Sequence, residues 1–72
     1  MAIERQQLDK WFSSGVLPAK AEGIPEAQDI RVQSLRLAET IIKNSPASSD
    51  QSVAVRKVRE GMMAAIQSII LK

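Results

Sequence analysis

Two apolar rows of coiled-coil spacing, separated by a single break, constrain this chain more than anything else in it. Ala27, Ile30, Ser34, Leu37 and Ile41 follow one another at alternating steps of three and four residues. After Asn44-Ser45-Pro46-Ala47-Ser48-Ser49 the same spacing resumes at Val55, Val58, Met62, Ala65 and Ile69. Such steps keep every member on one side of an α-helix, so each row predicts a helix with an apolar stripe. Pro46 restricts Ser45 and cannot continue the hydrogen-bond ladder, which ends the first helix near Asn44. A link of about five residues suits antiparallel neighbours. Residues 26–72 are therefore expected to form a long antiparallel helical hairpin.

A second apolar row runs beside each stripe: Leu35, Ala38 and Ile42 on one helix, Met63, Ile66 and Ile70 on the other. Two helices bury one stripe between them, so the surplus predicts that further copies of the chain cover the rest. Length points the same way. A domain of 72 residues buries only about 60% of its unfolded surface and is marginal without a staple. There is no Cys and no His, which excludes a disulfide and the usual zinc site. Self-association remains, and the expected fold class is all-α, a short N-terminal helix followed by the hairpin, assembled as a homo-oligomer.

The whole chain, residues 1–72, is expected to be one domain, with a short helix in 1–15, a loop over 16–25 and the hairpin thereafter. Ile3 to Phe12 should be helical, clustering Leu8, Trp11 and Phe12, and Ser13-Ser14-Gly15 supplies a stop because Gly takes the left-handed terminal conformation easily. Pro18 and Gly23 in an aperiodic stretch indicate an ordered loop. Pro25 fits the first turn of the next helix, and Glu26 and Asp29 suit the positive end of its dipole. Ser48 and Gln51 have capping-box spacing for the third helix, which should run from Ser49 almost to Lys72. Gly61 inside it, near Ala54 and Ala65, is expected at a close helix–helix contact.

Ten Lys and Arg against eight Asp and Glu give a net charge of +2, mildly basic and short of what a strong duplex-DNA binder carries. Nucleic acid is not the expected partner; a small anionic ligand fits better. No apolar run approaches a membrane span of about 18 residues, and the first residues lack the pattern of a signal peptide, so a cytoplasmic location is expected. No phosphate loop, no nucleophile with a His partner and no metal-spaced cluster is present. The expectation is a protein that is not an enzyme, with no catalytic residue, no metal and no cofactor.

Binding residues are easier to nominate. Arg31 falls within the apolar arc of its helix, between Ala38 and Ile42, and Arg59 within that of the next, between Ile66 and Ile70. A guanidinium there is costly unless it snorkels, pairs with an acid or meets an anionic ligand. Trp11, with Lys10 and Lys20 nearby in sequence, offers the plane and cations needed to stack a base and neutralise its phosphate. Either ring of Trp11 and Phe12 could instead cap the end of the hairpin as core. Ser13, Ser14 and the backbone near Gly15 could supply further donors.

Three stretches carry a resemblance: Ile30-Arg31-Val32-Gln33-Ser34-Leu35-Arg36-Leu37-Ala38-Glu39-Thr40-Ile41-Ile42, Ser45-Pro46-Ala47-Ser48-Ser49-Asp50-Gln51-Ser52-Val53-Ala54, and Val58-Arg59-Glu60-Gly61-Met62-Met63-Ala64-Ala65-Ile66. Together they resemble the helical-hairpin domain shared by phage anti-CBASS and anti-Thoeris sponge proteins. The matching features are an Ile-Arg start, a Pro-x-Ser-x-Asp-x-Ser-x-Ala turn and cap, and Arg-Glu-Gly-Met in the last helix, over about two thirds of the chain. The resemblance implies a homohexamer that binds cyclic oligonucleotide second messengers in the infected bacterium and withholds them from immune effectors without cleaving them. Cyclic dinucleotides are bound between subunits in that family, and cyclic trinucleotides in separate pockets in some members. The stand-alone length is similar to the anti-CBASS branch. Met63-Ala64-Ala65 departs from the family, several members of which carry aromatic residues there. The amino-terminal third shares no motif with the family, so it is from their own chemistry that Trp11 is expected to stack on a base and Lys20 to contact a phosphate, with Arg31 a further phosphate contact and Arg59 serving a second pocket. The alternative is a small oligomeric helical regulator that binds DNA or a partner protein.

Overall fold

The computed structural model describes residues 5–13 and 17–71, and among these the chain is all-helical, with no strand. Helix α1 spans Arg5–Phe12, α2 Pro25–Asn44 and α3 Ser49–Ile70, and a single 3-10 turn spans Ala19–Ala21. That turn lies inside the stretch whose sequence reads as aperiodic loop, where Pro18 N-caps it and Ala21 N–H donates to Pro18 O at 2.8 Å. The expected helix start at Ile3 and the glycine stop at Gly15 fall outside the described residues.

Local chemistry accounts for each boundary of the long helices. Pro25 occupies the first turn of α2, where an absent N–H costs nothing. Ser45 is extended, as the residue before a proline must be, and ends the helix while its N–H still bonds Ile41 O at 3.0 Å. Ser48 N-caps α3 by accepting from Gln51 N at 3.2 Å. The reciprocal half of the capping box does not form. Instead the Gln51 carboxamide, 4% exposed, donates across to Ser45 O at 3.0 Å, Ser45 Oγ at 3.2 Å and Ile42 O at 3.4 Å. One side chain thus satisfies carbonyls that the end of α2 leaves orphaned and ties them to the start of α3.

α2 and α3, joined by residues 45–48, pack on each other in the most extensive contact between elements, and α1 lies against α2. The buried core comprises Leu8, Phe12, Leu17, Ala21, Ala27, Ala38, Val55, Met62 and Ile66. Its line differs from the expected stripe. Leu37 is 52% exposed while its neighbour Ala38 is fully buried, and on α3 Ile66 is buried where Ala65 and Ile69 are only half covered. The cause is α1: Leu8 and Phe12 enter from the side of the second apolar row and draw the buried centre toward it. Arg5 clips the far end of α1 to α2 by an ion pair with Glu39, and also pairs with Asp9 at 3.3 Å. Hydrogen bonding with Glu39, then its charge, raises the already high Arg5 pKa.

Gly61 is exposed, and a Cβ there would have nothing within 4 Å. Among the described residues no other helix approaches it that closely, so the helix–helix contact expected at Gly61 is not made within the single chain. It lies two residues on from Arg59, roughly 200° round the helix. Leu37 stands in the same relation to Glu39 on α2. Both therefore lie on the sides of α2 and α3 turned away from α1.

Candidate functional site

Trp11 and Arg59 come together, although sequence reasoning assigns them to separate clusters. Trp11 projects half-buried from the last turn of α1, one residue before the core anchor Phe12. The Arg59 guanidinium carbon stands 5.9 Å from the centroid of the indole ring, within cation–π range. Arg59 Nε is buried and has no hydrogen-bond acceptor among the described residues. Ion pairs among those residues are Arg5–Asp9, Arg5–Glu39 and Lys57–Glu60, so neither Arg59 nor Arg31 has a carboxylate partner. A buried donor left unmet costs about 1–3 kcal/mol. Contact with the face of Trp11 offsets part of that, and the rest stands unless the surroundings shift to bring an acceptor to Nε.

Arg31 is placed differently. Its Nη1 donates to Phe12 O and its Nε to Gln28 Oε1, both at 3.0 Å. The first bond caps the C-terminal end of α1, where carbonyls lack intrahelical partners and cations are favoured. Arg31 also borders an open groove with Asp9, Phe12, Ser13 and Leu35, of about 300 Å³. Small-molecule sites run roughly 300–1,000 Å³, so this groove alone is at the lower limit. Lys20 is exposed on the 3-10 turn. Ser14 and Gly15, the other suggested donors, lie outside the described residues.

Gln28 escaped the sequence reading, and so did the cross-helix role of Gln51. Gln28 was recoverable, because it lies three residues before Arg31 and hence on the same face. Nothing local announces that Gln51 turns away from its own cap, since that depends on where α2 ends in space. Among the described residues there is no group of acidic, His or Cys side chains placed to hold a metal ion, and no helix is long and apolar enough to cross a membrane. Comparison with protein-family models, curated proteins and solved structures finds no match for this chain.

Proposed function

We propose that this chain sequesters cyclic oligonucleotides, binding cyclic dinucleotides, and in a further pocket cyclic trinucleotides, without cleaving them. The observation that carries the reading is the half-buried Trp11 against an Arg59 whose Nε has no acceptor. An aromatic plane beside an unmet guanidinium matches a ligand that presents a base and a phosphate together. Exposed Lys20 supplies a second cation, at the surface. In the assembled protein α2 and α3 form an antiparallel hairpin and copies join, as a hexamer, so that pockets form where protomers meet.

Two features support the assembly. The described grooves of one chain are small and open, and a symmetric interface would double the aromatic and cationic groups available to a ligand with two bases and two phosphates. Leu37 stands 52% exposed, beside half-buried Ile30 and Ile41, while α3 offers the uncovered Gly61 on its corresponding side. A ridge of large residues and a strip of small ones on one face are complementary to each other under a two-fold rotation.

Sequestration requires affinity better than micromolar, about −8 kcal/mol. Two stacked bases at ~1–3 kcal/mol each with two charge-assisted contacts reach that range. Calorimetry with cyclic di- and trinucleotides is the test: submicromolar binding that falls at least about tenfold in Trp11→Ala and in Arg59→Ala is expected. No heat at ligand concentrations up to about 100 µM removes the proposal. Sedimentation velocity tests the assembly, which Leu37→Glu should weaken; a folded monomer of the parent chain would overturn it.

A further inference from the structure

One pair of side chains on α2 holds both flanks of the Trp11–Lys20 region. Arg31 Nη1 donates to Phe12 O at 3.0 Å, Arg31 Nε donates to Gln28 Oε1 at 3.0 Å, and Gln28 Nε2 donates to Glu22 O at 3.0 Å. The relay has one chemical sense. A guanidinium only donates, so it demands the oxygen of the Gln28 carboxamide, which leaves the amide nitrogen for the Glu22 carbonyl. Trp11 immediately precedes one of the two carbonyls so tied, and Lys20 lies two residues before the other. The two groups nominated for a base and a phosphate are thus referred to a single turn of α2.

We infer that Arg31 and Gln28 are positioning residues: they set Trp11 and Lys20 in register for a ligand rather than contacting it. The inference rests on the proposed binding site. Two of the three nitrogens of the Arg31 guanidinium already have acceptors, whereas the guanidinium of Arg59 stands against Trp11 with its Nε unmet. A ligand meeting groups already held in place loses less conformational freedom on binding, which raises affinity without a new contact.

The decisive variant is Gln28→Leu, close to the same size, neutral, and unable to make either bond. Cyclic-nucleotide affinity should fall about tenfold, with the parent's far-UV circular dichroism retained. Arg31→Lys keeps the charge but cannot serve both acceptors with a fixed fork, so it should fall similarly, and the double variant should fall no further. Were Arg31 instead a phosphate contact, Arg31→Lys would retain most of the affinity and Gln28→Leu would leave it unchanged, which overturns the inference. A second readout needs no ligand. The chain has one Trp, so the indole N–H gives one isolated proton resonance, expected to shift or broaden in Gln28→Leu and to stay put in the surface control Lys57→Gln. An unmoved resonance overturns the inference even if the parent protein binds no cyclic nucleotide; absence of binding with a moved resonance defeats only the functional proposal.

Discussion

Replacing Gln51 by Leu should cost this protein about 2 kcal/mol, although the substitution opens no cavity and removes no charge. The Gln51 carboxamide is 4% exposed and donates to Ser45 O at 3.0 Å, Ser45 Oγ at 3.2 Å and Ile42 O at 3.4 Å. Leu has nearly the same volume, so packing changes little and the polar loss is isolated. The Ser45 hydroxyl can satisfy itself, since it already donates to Ile41 O, and the bond to Ile42 O is long. The Ser45 carbonyl, on a half-buried residue, bears the main loss, for which full burial would set a range of about 1–3 kcal/mol. Total stability for a chain of 72 residues is of order 4–11 kcal/mol at ~0.05–0.15 kcal/mol per residue. A cost near 2 kcal/mol therefore lowers Tm by roughly 8–16 °C, read by circular dichroism at matched protein concentration because association shifts Tm. Gln51→Glu sharpens the test. A carboxylate among carbonyls is disfavoured, so its folded pKa would rise above the free value of ~4.3. Its cost is then full above the folded pKa, shrinks as pH falls through the interval between the folded and the unfolded values, and is gone below the unfolded one, so this variant gains stability relative to the parent on acidification. A Gln51→Leu protein as stable as the parent, or a Gln51→Glu variant indifferent to pH, would refute the assignment.

Ser48→Ala removes the oxygen that accepts from Gln51 N at 3.2 Å and should cost ~1 kcal/mol by urea denaturation. Ile66 is fully buried, so Ile66→Ala should cost ~2–5 kcal/mol, enough to leave the protein partly unfolded at 37 °C. Arg5→Ala should leave the thermal melt nearly unchanged despite two ion pairs, because its side chain is 61% exposed and solvent screens both; a clear drop in Tm would mean that α1 is held mainly by charge. Gly61→Ala meets nothing within 4 Å and should stabilise the helix by up to ~1 kcal/mol. Gly61→Leu should weaken self-association in sedimentation, and unchanged association would place the interface elsewhere.

Much of this fold was readable in advance, because its punctuation is local. Pro25, Ser45-Pro46 and Ser48 act on the backbone within a few residues of themselves, and the boundaries of α2 and α3 fall where they direct. The exchange of Leu37 for Ala38 in the core was not readable. Which of two adjacent apolar rows is buried depends on the third helix that arrives, and α1 arrives over the second row. The site divides in the same way. That Arg31 and Arg59 sit in apolar sectors follows from 100° per residue, but their partners are set by tertiary placement: Phe12 O and Gln28 for one, the face of Trp11 for the other. Gly61, read as a point of close helix–helix contact, is exposed and a Cβ there would meet nothing within 4 Å, although its small neighbours Ala54 and Ala65 are half-buried.

The volume filling this interior comes unequally from its two long helices. α2 contributes only the methyl groups of Ala27 and Ala38 to the fully buried set, whereas α3 contributes Val55, Met62 and Ile66. The bulk at the buried centre thus reaches inward from α3, while the large side chains of α2, Ile30, Leu35, Ile41 and Ile42, pack around that centre only partly buried. Enlarging either alanine is admissible only with trimming opposite, so sequence drift at these places should proceed by paired exchange, one side thickening as the other thins.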